Sequence, residues 1–219
     1  MRKLFFIILT LTLFLLSVFK VDANNLTFPL IGKTIIIDPG HGGVDQGASY
    51  QDIYEAEINL EISFKLKKEL EKQGASVIMT REGSYDLSNP NAIYRKKSDF
   101  DNRIKLINNS DANLYLSIHL NEYTNPVYYG PQIFYIGKFK ENKTLAEILQ
   151  KELNDSLLTK RQIKTMGNSY YMYEKLNVKG VLIECGFLSN PRERNNLLSE
   201  EYQIKFVKLV TNGIIKYYS

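Results

Sequence analysis

Short apolar runs and longer amphipathic stretches succeed one another along most of this chain. Lys33–Ile37 and Leu114–Ile118 are nearly continuous apolar runs, as strands buried on both faces require. Ala75–Thr80, Gln132–Ile136, Ser169–Tyr173 and Val178–Ile183 predict four further strands. Helical spacing covers 53–73, closed by Gly74, then Asp99–Asn109, Asn142–Leu157, 191–198 and 200–217. Residues 82–98 are polar and carry Gly83, Asn89 and Pro90, which predicts a long surface loop. Strands alternating with helices predict an α/β fold, a mainly parallel twisted sheet with helices on both faces in a single domain.

The N-terminus breaks this pattern. Arg2 and Lys3 precede an uncharged run from Leu4 to Phe19, and Lys20-Val21-Asp22-Ala23 follows. This is the layout of an export signal. Its 16 residues span about 24 Å as a helix, short of the roughly 30 Å hydrocarbon core. Residues 1–23 are therefore expected to be a signal peptide, cleaved after Ala23, or a retained membrane anchor. Residues 24–32 follow as a linker and 33–219 as the folded domain. Export places the domain outside the cytosol, where disulfides persist, yet Cys185 is the only cysteine and cannot form one within the chain. The formal charge is +4, falling to +2 once residues 1–23 are removed. A mildly basic surface tolerates an anionic cell wall, and no arginine-rich motif points to nucleic acid.

Only two histidines occur, and both fall at strand ends. His41 lies in "DPGHGG" just beyond Ile35–Ile37, His119 just beyond Leu114–Ile118, and Glu184 just beyond Val181–Ile183. In open α/β sheets the crevice at the carboxyl ends of the strands is where ligands bind. Either histidine alone also fits a surface turn. Along the first helix Ile58, Ile62, Leu66 and Leu70 define the buried stripe. At about 100° per residue Glu55 falls about 20° from Ile62, and Glu57 about 140° away. Glu55 thus points inward, although Asp52 and Glu55 also fit a capping box. An inward carboxylate needs a partner, and a metal ion is one. His41, Glu55 and His119 could offer two imidazoles and a carboxylate to zinc, the three-ligand pattern that leaves a position for water, with Glu184 beside it.

Two rival chemistries are weaker. A phosphate loop lacks its Lys-Ser/Thr ending here, and its helix starts some ten residues late. Cys185 could act as a thiol nucleophile with His119, but no third group orients the histidine. Arg81 and Arg103 receive no chemistry, Arg103 fitting a structural ion pair. Tyr170, Tyr171 and Tyr173 fit a half-buried strand face better than a sugar groove.

The motifs "IIIDPGHGG", "EAEINL", "SDFDNRIKLIN", "LYLSIHLNE" and "GVLIECGFLSNPRE", in this order, resemble zinc-dependent N-acetylmuramoyl-L-alanine amidases of the amidase-3 type. The resemblance runs from about Lys33 to the C-terminus. It implies zinc on His41, Glu55 and His119, an essential catalytic Glu184, and hydrolysis of the amide between N-acetylmuramic acid and the L-alanine of peptidoglycan stem peptides. The family commonly has Thr or Ser at Cys185 and often Ala at Leu120, departures that bear on substrate fit. No autoinhibitory insertion is read between His119 and Glu184. The short chain with its N-terminal apolar segment is most similar to the germination-specific, spore-cortex (CwlD-type) group. That implies an exported, wall-facing location, extending to the forespore cortex, with muramic lactam formation downstream. A protein partner or the anchor is expected to place the enzyme. The alternatives are a non-catalytic wall-binding scaffold derived from an amidase, and a zinc peptidase acting on stem peptides.

Overall fold

The chain folds around a six-stranded sheet whose order is β4-β1-β5-β8-β6-β7. The computed structural model describes residues 28–167 and 170–219. The strands are β1 (Thr34–Pro39), β4 (Ser76–Met79), β5 (Leu114–Asn121), β6 (Gln132–Tyr135), β7 (Lys164–Thr165) and β8 (Gly180–Phe187), with β2 (Ser49–Tyr50) and β3 (Ile53–Tyr54) forming a separate hairpin. The helices are α1 (Glu55–Lys72), α2 (Arg95–Asn108), α3 (Lys140–Leu157), α4 (Tyr171–Glu174), α5 (Pro191–Leu197) and α6 (Glu200–Tyr218). β4, β1, β5 and β8 are parallel, as expected for strands joined by helical crossovers, whereas β6 runs antiparallel to β8.

Alternate side chains of the central strands serve two layers. Ile35, Ile37, Leu116 and Ile183 pack with Ile58, Ile62, Leu66, Leu149, Val210 and Ile214 from α1, α3 and α6. Ile36 and Tyr115 face the opposite side, against Ile107 of α2 and Met172 of α4. Both faces are therefore covered, which is why these strands read as apolar runs rather than alternating ones.

Several boundaries differ from the sequence expectation. α1 starts at Glu55, because Ile53 and Tyr54 pair back onto Tyr50 and Ser49. α2 starts four residues before Asp99. β5 and β8 run on through His119 and Glu184, which are paired across the ladder, so these residues lie in strands rather than beyond them. The strand expected over Ser169–Tyr173 is instead the helical turn α4, with Ser169 outside the described residues. Met172 packs this single turn with Ile36 and Tyr115 of the sheet. β7, missed in the sequence, is a two-residue edge strand too short to show a period.

Residues 1–27 lie outside the described residues, including the N-terminal apolar run. Within the stretch 24–32 expected as a linker, Leu30 is fully buried and its N–H donates to the Gln73 carbonyl at 2.9 Å. Among the described residues no helix is long and apolar enough to cross a membrane.

Candidate metal centre

The bend after β1 is held from inside by two buried arginines. Arg103 on α2 ion-pairs with Asp38 at 2.6 Å and Asp99 at 2.9 Å. It also donates to the carbonyls of Pro39 at 2.9 Å and His41 at 2.6 Å. Arg81 donates to the carbonyls of Pro39, Gly40, Gly83 and Ala56. Bends have carbonyls that no ladder satisfies, and a guanidinium with five donors is suited to collect them. Both arginines are thus structural. With its backbone so fixed, His41 is held at φ 62°, a left-handed conformation rare for a residue with a side chain.

Three elements bring their side chains to one point. His41 comes from the bend, His119 from β5 and Glu55 from the first turn of α1. His41 Nε2 lies 3.2 Å from Glu55 Oε2, and His119 Nδ1 lies 3.0 Å from Glu55 Oε1. The two imidazoles meet edge-on with centroids 4.9 Å apart. Glu55 does not cap its helix: Tyr54 holds the N-cap position without a side-chain bond, and Asp52 plays no part. The carboxylate accepts instead from Ala48 N–H at 2.8 Å, Leu120 N–H at 2.9 Å and Asn59 Nδ2 at 3.2 Å.

The surroundings leave little room. A Cβ at Gly40 would fall 2.2 Å from His119 Cε1, and one at Gly47 2.5 Å from Glu55 Oε2, so glycine is required at both positions. Asp45, four residues after His41, takes Nδ1 at 3.0 Å and so turns Nε2 toward Glu55. On the other side the Tyr173 hydroxyl lies 3.4 Å from His119 Nε2 and 3.1 Å from Ser117 Oγ. Tyr173 therefore contacts the site directly, rather than lining a strand face.

Charge is redistributed accordingly. Burial works against a charged His41, but the carboxylates of Asp45 and Glu55 outweigh it and raise its pKa to about 9. Burial likewise opposes ionisation of Glu55, and the two histidines outweigh it, holding the carboxyl far below its usual range. Glu184 behaves oppositely. Burial, with the nearby Glu55 charge adding to it, pushes its pKa up to about 8. Its Oε2 is buried and has no hydrogen-bond partner among the described residues. Cys185 is fully buried, and burial followed by the Glu184 charge drives its thiol well up, which leaves it a neutral packing residue and no nucleophile.

Ligand atoms from His41, Glu55 and His119 all lie within 4.8 Å of one another. Ligands at about 2.1 Å around a tetrahedral ion sit about 3.4 Å apart, close to the His41–Glu55 spacing. Two imidazole nitrogens, an ionised carboxylate, an outer carboxylate on His41 and an orphaned Glu184 oxygen together fit a divalent cation. Asp45, Asn59 and Tyr173 were not legible as site residues. Asn59 had a signal, being one turn from Glu55 on the same helix face.

The chain is similar to known proteins over most of its length. The N-acetylmuramoyl-L-alanine amidase family profile matches residues 35–216. A germination-specific N-acetylmuramoyl-L-alanine amidase of Bacillus subtilis (strain 168) is 40% identical over 215 residues, 94% of this chain and 90% of that protein. The CwlD amidase from Clostridioides difficile, solved in complex with the GerS lipoprotein, is 39% identical with a TM-score of 0.80, covering 85% of this chain and 98% of that one. An N-acetylmuramoyl-L-alanine amidase from Clostridium difficile 630 is 30% identical with a TM-score of 0.74, over 84% and 96% of the two chains.

Proposed function

The chain belongs to the N-acetylmuramoyl-L-alanine amidase family, and we propose that it hydrolyses the amide joining the lactyl group of N-acetylmuramic acid to the L-alanine of the peptidoglycan stem peptide, using one zinc ion held by His41, Glu55 and His119. The observation that carries this reading is the convergence of these three donors beside the partnerless Glu184 oxygen.

Bound zinc lowers the pKa of water toward about 7 and polarises a carbonyl. The protein's own groups supply the rest. Asp45 fixes the His41 tautomer, leaving Nε2 to the metal, and His119 presents Nδ1 while Nε2 faces Tyr173. His41 would hold the cation as a neutral imidazole, because ligand nitrogens must be deprotonated. A cation held there would favour the ionised form of Glu184, which burial otherwise disfavours, and so suit it to act as a base. Glu184 then takes the proton of the attacking water and hands it to the departing L-alanine nitrogen as the C–N bond breaks. The products are a muramic lactyl carboxylate and a peptide with a free amino terminus.

The similarity to a germination-specific amidase supports a place in spore-cortex maturation, where removal of the peptide leaves the muramic acid ready for lactam formation by another enzyme. Action on peptidoglycan requires export, for which the N-terminal apolar run is suited. The lipoprotein bound to the C. difficile relative supports a protein partner for this chain as well. The test combines metal content with product analysis on purified cortex and vegetative wall. Bound zinc, inhibition by a chelator but not by a thiol alkylator, and new L-alanine amino termini are expected. Cleavage inside the peptide would make the protein a peptidase, and binding without products a scaffold.

A further inference from the structure

A polymer substrate needs more hold than three donors and a base provide, and one fixed cation stands beyond the catalytic strand. β8 continues from Glu184 to Phe187; an irregularity in the ladder sets this stretch against only His119 to Asn121 of β5, so it advances about 7 Å at about 3.3 Å per residue. The Arg161 guanidinium packs over the Phe187 ring at 4.6 Å and the Tyr128 ring at 5.4 Å. Its Nε donates to the Tyr129 carbonyl at 2.7 Å. Stacking and this hydrogen bond hold the guanidinium plane, while its two terminal nitrogens make no hydrogen bond or ion pair to the described residues. Such a pre-set fork matches a carboxylate.

Among the described residues no ion pair joins the guanidinium to Glu193, although the Arg161 charge acts on that carboxyl. Glu193 Oε2 accepts from Phe187 N–H at 2.8 Å, and burial pushes its carboxyl up toward the neutral form. A groove of about 640 Å³ adjoins, walled by Tyr129, Pro131, Tyr202 and Glu193 and edged by Arg192 and Lys205. Pro131 directly precedes Gln132, which pairs across the ladder with Glu184. The groove thus adjoins the strand that carries the base and has an excess of positive charge.

We infer that Arg161 binds the free carboxylate of the second stem-peptide residue, so that the peptide leaves the metal centre toward the β6 side and the glycan lies on the other. This rests on the proposed amidase reading, and substrate chemistry sets the direction. The lactyl carboxyl of muramic acid is consumed in the scissile amide, so the glycan is left uncharged and the remaining carboxylates belong to the peptide. Two extended residues reach about 7 Å, which matches the advance of β8 from Glu184 to Phe187, where the guanidinium is stacked.

The experiment compares soluble muropeptides whose second residue carries a free or an amidated α-carboxyl, cleaved by the metal-loaded full chain. The wild type should show a KM 10–100-fold lower for the free acid, with kcat within about threefold. Arg161→Ala should lose that preference, and Arg161→Lys, which keeps the charge without the fork, should fall between. A wild type that treats the two substrates alike overturns the inference and leaves the amidase function standing. So does an Arg161→Ala protein that still prefers the acid. If Arg161→Ala does not fold, the wild-type comparison and Arg161→Lys decide alone. Turnover of neither muropeptide removes the amidase reading and this inference together.

Discussion

Adding one methyl group at Gly40 should disable the centre without replacing a ligand. Gly40 lies outside the left-handed region, so alanine adds no backbone strain, but its Cβ would fall 2.2, 2.4 and 2.6 Å from three atoms of the His119 ring. Carbon atoms settle at about 3.5–4.0 Å, so the ring must retreat by more than about 1 Å. That breaks the 3.0 Å approach of Nδ1 to Glu55. Displacement on this scale costs about 100-fold in rate, and overpacking costs about 1–3 kcal/mol of stability. For a domain of this size that is about 2–12 °C in Tm. The control is Gly137→Ala, where nothing lies within 4 Å of the added carbon, and it should be neutral in both respects. Release of L-alanine amino termini, metal dissociation by chelator competition and calorimetry of the metal-free protein read the three effects. Wild-type rate and metal affinity in Gly40→Ala would refute the close contact on which the centre depends.

Other outcomes follow from the same geometry. Glu184→Gln should keep its zinc and lose nearly all turnover, since the amide cannot take a proton from water; equal activity would remove Glu184 from the mechanism. Arg103→Leu strands the buried Asp38 and Asp99 charges and should cost about 3–5 kcal/mol in denaturant unfolding; a loss under about 1 kcal/mol would show that the pair is not uncompensated. In the metal-free protein His41 is raised to about 9, so its stabilising contribution is complete below its unfolded value of 6.5 and disappears as pH rises through 9. Glu184, raised to about 8, adds a cost that grows between its unfolded 4.5 and 8 because the unfolded chain ionises first. Both signs agree, so the melting temperature without metal should fall steadily from pH 7 to 9, and a rise would contradict the pairing of His41 with Asp45 and Glu55.

Apolar periodicity revealed the sheet, because buried parallel strands such as Ile35–Ile37 carry an unbroken signal. The same signal gave the stripe of α1, and from it the inward direction of Glu55. It could not show that His119 and Glu184 remain within their strands, since polar residues at a functional rim look like strand ends. The short turn α4 was misread because four residues carry no distinguishable period. Tyr173 was thereby misassigned, although its hydroxyl touches His119. Asp45 was invisible for a related reason, as its partnership with His41 depends on a left-handed bend that no periodicity encodes. What remained beyond reach was thus the set of groups that orient the ligands, whose positions follow from tertiary packing.

The bond that takes up water distinguishes an amidase most directly from a peptidase or a scaffold. Wall digested by the metal-loaded protein in ¹⁸O-water and analysed by mass spectrometry should carry one heavy oxygen in the muramic lactyl carboxyl and none in the released peptide. Heavy oxygen in a peptide carboxyl, or in neither product, would contradict the amidase reading.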